Sequence, residues 1–161
     1  RNLYNFNRDI LQRNAGTLRI FGYEFTGFLQ IISSMNAYFE ANMALMSPQA
    51  RAQLFDPNRP IYTKVRDEAP VRYTVGCKVK NCTVADGCII EGEVENCVIF
   101  RGVTIGKDAV VKNCVLMQNT AVAPGVRMDY VTTDKDVTIT EGQYLGGTRS
   151  FQVFVKKGST V

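Results

Sequence analysis

The sequence contains no histidine and no tryptophan, and the first absence removes a large share of enzyme chemistry at once. Without imidazole there is no histidine general base, no Ser-His or Cys-His nucleophile pair, and no histidine-ligated zinc or iron. Long apolar runs are missing too: no stretch approaches the ~20 residues of a membrane-spanning helix, and no charged start leads into an apolar signal segment. The chain is therefore expected to be soluble and cytoplasmic, without a membrane partner. Charge of one sign is not in excess either. Lys and Arg number 19 against 15 Asp and Glu, a net of +4, too small and too scattered to make nucleic acid an expected partner.

Cysteine is present in an odd number, 5, with no Cys-x-x-Cys pair, which predicts reduced structural thiols and no metal site. The Asn81-Cys82-Thr83 triplet is a glycosylation signal only in a secreted protein and is discounted. What the sequence does have is apolar material: 45% hydrophobic residues, with 9 Phe and 7 Tyr, in 161 residues, enough for one domain with a core. It starts at Arg1 without an initiator Met and enters directly into patterned sequence. A piece of a longer protein is the expectation.

Helical patterns fill the first third. Leu3, Phe6, Ile10 and Leu11 share one face of a short helix, and Leu18 to Phe25 reads as a strand. A stronger helix follows, capped by Ser33 or Ser34, with Met35, Tyr38, Phe39, Met43 and Met46 along one side. Ser47-Pro48 ends it and starts a second, shorter helix running to Phe55. Asp56-Pro57 and Arg59-Pro60 stop helical structure, and Ile61 to Pro70 is predicted to be an extended connector.

From about Val75 the texture changes to short aliphatic runs broken by Gly, Asn or Asp. Set in sixes, Ile99 with Val103, Ile105 with Ala109, Val111 with Val115, and Met117 with Ala121 fill the first and fifth positions. Val84 with Cys88 and Ile90 with Val94 fit upstream, with a slip of three residues between Val94 and Ile99. A longer period shows in Lys80-Asn81-Cys82, Glu95-Asn96-Cys97 and Lys112-Asn113-Cys114, spaced 15 and then 17 residues. This pattern predicts a mainly β fold, a left-handed parallel β-helix of hexapeptide repeats, with about five coils stacked at ~4.8 Å. Lys80, Glu95 and Lys112 become a ladder of alternating charge continued by Asp129, and Cys82, Cys97 and Cys114 stack near a corner. Gly146-Gly147-Thr148-Arg149 superficially looks like a phosphate loop, but it leads into a strand, Phe151 to Val155, instead of opening a helix. It reads as an exit turn.

Hexapeptide helices serve acyl transfer, metal-dependent hydration, and assembly behind a nucleotidyltransferase domain; the first two rely on histidine, so the third remains. Here the residues also carry a resemblance. Tyr23-Glu-Phe-Thr-Gly27, Tyr38-Phe-Glu-Ala-Asn-Met-Ala-Leu45, Asn58-Arg-Pro-Ile-Tyr-Thr63, Gly87 to Cys97 and Val131 to Gly142 together resemble the C-terminal part of bacterial ADP-glucose pyrophosphorylase, the glucose-1-phosphate adenylyltransferase of glycogen synthesis. The resemblance covers essentially the whole chain. It implies three parts: residues 1–60 as the C-terminal remnant of a nucleotidyltransferase domain, 61–74 as a connector, and 75–161 as the β-helix domain.

In that family an aromatic-x-Asp-hydrophobic-Gly-Thr segment precedes the Tyr-Phe-Glu-Ala-Asn helix, and its Asp holds the metal and substrate phosphates. The matching stretch here is Phe28-Leu29-Gln30-Ile31-Ile32-Ser33-Ser34. Ile31 stands at the Asp position, and an aliphatic side chain cannot ligate Mg²⁺. The resemblance therefore implies the degenerate, regulatory D-type subunit, with no catalytic residue and no cofactor in this chain, Mg²⁺ being expected only in a catalytic partner. A C-terminal part of an active sugar-nucleotide transferase, with its active site elsewhere, is the alternative. A stand-alone acyltransferase is disfavoured by the missing histidine. The expected partners are a catalytic adenylyltransferase subunit, further copies associating through the β-helix or helices, and a phosphorylated metabolite effector. The effector's anion candidates are Lys135, by its place in the family pattern, and more weakly Lys156 and Lys157.

Overall fold

A computed structural model describes residues 4–161. The chain opens with a π-helical segment, Phe6–Leu11, whose entry is tied by the Asn5 side chain accepting from the Arg8 N–H; Leu3 lies outside the described residues. Residues 18–25 are not a strand. They have no regular structure and no strand partner among the described residues, leaving Phe21 at 80% and Tyr23 at 90% exposure. A strand exists only when a neighbour takes its backbone groups, and among the described residues no segment offers an edge to this one.

Helix α1, Met35–Ala44, is capped by Ser34, whose Oγ accepts from the Ala37 N–H. Met46 falls in the turn beyond it. Ser47 caps α2, Pro48–Leu54, with Pro48 in the first turn, where no intrahelical N–H is required. The connector, residues 61–70, has no regular structure.

The rest is a parallel β-solenoid. Its coils are β1 (Arg72–Tyr73), β2 (Lys78–Lys80) and β3 (Thr83–Val84); β4 (Ile89–Ile90), β5 (Glu93–Glu95) and β6 (Val98–Ile99); β7 (Thr104–Ile105), β8 (Val110–Lys112) and β9 (Val115–Leu116); β10 (Ala121–Val122), β11 (Arg127–Asp129) and β12 (Val131–Thr133); and β13 (Thr138–Ile139), β14 (Tyr144–Gly146) and β15 (Val153–Val155). Corresponding strands of successive coils pair in parallel, forming three five-stranded sheets. We call these the β1, β2 and β3 faces after their first strands. Ile90, Ile105, Val122 and Ile139 stack inward on the β1 face, and Val94, Val111 and Met128 on the β2 face. The prism is therefore closed by whole columns of like aliphatics.

The hexad frame needs two corrections. In the first four coils the crossing from the β2 face to the β3 face takes five residues, so the inward partner of Ile99 is Leu116 and not Met117. Leu116 and Val122 are buried, whereas Met117 and Ala121 are partly exposed. The missing residue is saved by a single left-handed corner: Asn81, Asn96, Asn113 and Tyr130 have φ of 49°, 53°, 50° and 51°, a conformation that asparagine tolerates best among non-glycine residues. The second correction concerns the slip of three. One residue is lost at that corner between Val94 and Ile99, but the other two are lost earlier, at Glu91-Gly92, which makes Val94 the counterpart of Val111.

Helix α1 crosses the outer side of the β3 face. Its first turn and the turn that follows its last touch opposite ends of the prism, the Asn36 Oδ1 accepting from Gln152 Nε2 at 3.0 Å and Met46 Sδ accepting from Thr83 Oγ1 at 3.4 Å. Between them Phe39 packs on Tyr130, ring centroids 6.1 Å apart. Val115 and Thr132, which point outward on this face, are buried at 0% and 2% exposure.

Candidate functional site

Two columns of polar side chains run along the prism. On the β2 face Lys80 Nζ lies 2.9 Å from Glu95, and Lys112 Nζ lies 3.2 Å from Glu93 and 3.5 Å from Glu95. The expected alternating ladder is thus present over three coils. Asp129 does not continue it; although in register with Lys112, its Oδ1 accepts from Asn113 Nδ2 at 2.8 Å. That bond ends a second ladder, in which Asn81 donates to Asn96 at 2.7 Å and Asn96 to Asn113 at 3.3 Å.

The ladder gives Glu95 a defined acid response. The ammonium of Lys80, and then that of Lys112, holds its carboxyl below the usual value. A depressed folded-state pKa contributes stability above the ordinary carboxylate value, and that contribution is lost as pH falls through the lowered one. Glu95→Gln should therefore flatten the acid limb of a Tm-against-pH curve while leaving its shape above pH ~6 unchanged. An acid limb identical to that of the wild type would show that the ladder contributes nothing there.

Three of the thiols serve as small corner side chains. Cys82, Cys97 and Cys114 stack directly after the Asn81, Asn96 and Asn113 corners. Their sulfurs donate to the Lys80, Glu95 and Lys112 carbonyls at 3.2, 3.1 and 2.9 Å. Burial pushes the Cys97 thiol well up, and contact with Cys97 together with burial does the same for Cys82. All five cysteines are free, and among the described residues no cluster of acidic or sulfur ligands could hold a metal.

The corner between the β3 and β1 faces brings the candidate lysines together. Backbone bonds from Gly102 to Asp86, Asn119 to Arg101, Asp136 to Gln118 and Gly158 to Lys135 place Asp86, Arg101, Gln118, Lys135 and Lys157 in one column. At the early end Arg101 Nε pairs with Asp86 at 3.0 Å. At the late end Lys135 and Lys157 are exposed on adjacent coils, with no ion pair among the described residues. Asp134 and Asp136 do not neutralise Lys135 through its side chain: Asp134 Oδ1 accepts the Lys135 backbone N–H at 2.7 Å, and Asp136 Oδ1 accepts from Asn119 Nδ2 at 2.9 Å. Lys156 lies one column over, beside Asp134, whose N–H donates to the Val155 carbonyl.

Ile31 is not at this corner. It sits 77% exposed in the irregular segment that leads into α1. The neighbouring Ile32 lines an apolar cleft with Ser34, Met35 and Tyr38 on one wall and Met117, Asp134 and Phe154 on the other. Segment, helix and late coils thus share one cleft, and Asp134 connects it to Lys135. Sequence reasoning did not anticipate that cleft, because its walls are at least 79 residues apart in the chain.

No helix among the described residues is long and apolar enough to cross a membrane. Residues 69–153 match the family model described as GlmU-like, C-terminal hexapeptide. The glycogen biosynthesis protein GlgD of Bacillus subtilis is 39% identical over 155 residues, covering 96% of this chain and 45% of that protein. GlgD of Geobacillus stearothermophilus is 52% identical over 71 residues, 44% of this chain and 21% of that protein. The glucose-1-phosphate adenylyltransferase of Fervidobacterium nodosum is 31% identical over 143 residues, 89% of this chain and 34% of the enzyme. The chain therefore spans less than half the length of these relatives. Its repeat geometry and these similarities agree: the chain belongs to the GlmU-like C-terminal hexapeptide family and resembles the C-terminal part of GlgD and of glucose-1-phosphate adenylyltransferases.

Proposed function

We propose that this chain is the non-catalytic, regulatory and assembly part of a glucose-1-phosphate adenylyltransferase system in glycogen biosynthesis. The observation that carries this reading is Ile31, an exposed aliphatic residue in the segment preceding α1, at the position where the resemblance calls for a metal-binding Asp. A hydrocarbon side chain offers a divalent cation no oxygen. The GlgD similarity over nearly the whole chain supports the same reading.

The exposed apolar run, including Phe21 and Tyr23, gives the remainder of a longer protein a surface to cover. The Lys135 and Lys157 corner is the proposed effector site. Two ammonium groups on adjacent coils suit a phosphorylated metabolite, because a point charge on a flexible stem pairs with phosphate without strict geometry. Lys156 supplies a third cation nearby, and Mg²⁺ belongs to the catalytic partner.

The test measures ADP-glucose formation by the full-length protein alone and with its catalytic partner. Little activity alone, with enhancement of the partner, is expected. Lys135→Ala in the hetero-oligomer should raise the activator concentration for half-maximal response roughly tenfold, the effect of removing one charge-assisted contact. Robust ADP-glucose synthesis by the full-length protein alone would instead establish the active-transferase reading. Partner kinetics unchanged by its addition would end the regulatory one.

A further inference from the structure

At four levels the chain passes from the β2 face to the β3 face through one left-handed residue, Asn81, Asn96, Asn113 or Tyr130. The fifth crossing is different. Between β14 and β15 it detours through residues 147–152, closed on itself by the bridge Thr148↔Phe151. In a repeat protein such an excursion reports a local task, since the coil closes without it.

The detour is built to leave the prism at a fixed place. Gly147 donates its N–H to the Asp129 carbonyl at 2.8 Å, and a Cβ there would stand 2.6 Å from the Tyr130 carbonyl oxygen. From that anchor the loop reaches α1 at two successive turns. Arg149 grips the Glu40 carboxylate with Nε at 3.2 Å and Nη2 at 3.4 Å. Gln152 bonds Asn36, and its amide also donates to the Arg149 carbonyl, which braces the loop. Phe39, on Tyr130 just beneath, completes a three-point hold. Upstream, the helix continues through the Ser34 cap into the segment carrying Ile31 and Ile32.

We propose that the 147–152 detour is a clasp that docks α1 on the late coils, with Arg149 as the positioning residue through which the prism controls segment 28–34. The link to regulation rests on the effector reading above. The cleft beside Asp134 is walled by Ile32 and the first turn of α1, so a ligand pulling on the Lys135 corner meets a segment whose position the clasp sets.

Hydrogen exchange by mass spectrometry on the full-length protein tests it, comparing wild type, Arg149→Ala, and the exchanged pair Glu40→Arg with Arg149→Glu. Arg149→Ala should speed exchange of the amides of α1 about fivefold, the modest effect of losing an exposed bidentate pair. Amides of β4 to β12 should not change, and the exchanged pair should restore protection. Unchanged α1 exchange in Arg149→Ala, or acceleration spread equally over the solenoid, overturns the clasp. In the hetero-oligomer, Arg149→Ala should also shift the activator midpoint. If Lys135→Ala shifts it and Arg149→Ala does not, control through the clasp is refuted while the regulatory function stands. If α1 loosens as expected but the catalytic partner ignores the full-length protein, the regulatory function fails and the docking role of the clasp holds.

Discussion

Gly92→Ala should destabilise the chain by about 3 kcal/mol, the upper range for a site with no room to relax. Gly92 sits in the shortened turn that takes two residues out of the second coil. A Cβ there would stand 2.4 Å from the Ala109 carbonyl oxygen and 2.8 Å from that of Gly106. Both are backbone atoms of the next coil, the first accepting from the Glu93 N–H and the second from the Ala109 N–H, so no side chain can swing aside. Replacing glycine by alanine ordinarily stabilises by ~0.4–1 kcal/mol by restricting the unfolded chain, and here the clash reverses the sign. Gly16→Ala is the control: nothing lies within 4 Å of its Cβ position. Urea unfolding of both variants should give a large loss for Gly92→Ala and a change below ~0.5 kcal/mol for Gly16→Ala. Equal midpoints would mean that the second coil can shift away from the third.

Ile105→Ala should cost about 3–4 kcal/mol. Its side chain is 1% exposed and lies in register between Ile90 and Val122. Deleting three carbons there leaves a void that the neighbouring coils cannot fill, because their spacing is set by backbone hydrogen bonds. Tyr73 occupies the equivalent place in the first coil, paired with Ile90 on one side alone and 52% exposed. Tyr73→Ala should therefore cost under about 1.5 kcal/mol, since half of its surface is already in water. A loss for Tyr73→Ala as large as that for Ile105→Ala would argue against nearest-neighbour stacking as the source of stability.

Much of the prism was legible because its coils repeat a chemical sentence. Ile99, Ile105 and Val111 lie inward as their spacing requires, and the Asn-Cys pairs mark one corner at successive levels. The frame failed at Met117 for a physical reason. Val115 and Leu116 are both aliphatic and both fully buried, one outward under the side that α1 crosses and one inward. Hydropathy cannot tell the two sides apart when both are dry. The strand expected at Leu18 to Phe25 failed differently: its residues are strand formers, but pairing requires an edge that the described residues do not provide.

The candidate site divides the same way. Lys135 was singled out by its local pattern, yet its neighbour Lys157 became a coil-mate only once the register was known, because the fifth coil contains the detour. Arg149 was hidden by its context. In a Gly-rich turn an arginine reads as solvent-facing, and its partner Glu40 is 109 residues away in the chain.

The crossing of α1 from Thr83 to Gln152 makes the helix a gauge rod for the prism. A coil advances the prism axis by ~4.8 Å, while a helical residue advances by ~1.5 Å, so one coil is matched by about three residues of helix. A solenoid can ordinarily gain or lose coils at will, since each touches only its neighbours. Here the rod touches both ends. Family members with one coil more should carry a helix longer by about three residues, or give up either the Met46 or the Asn36 contact, so that coil number and helix length change together.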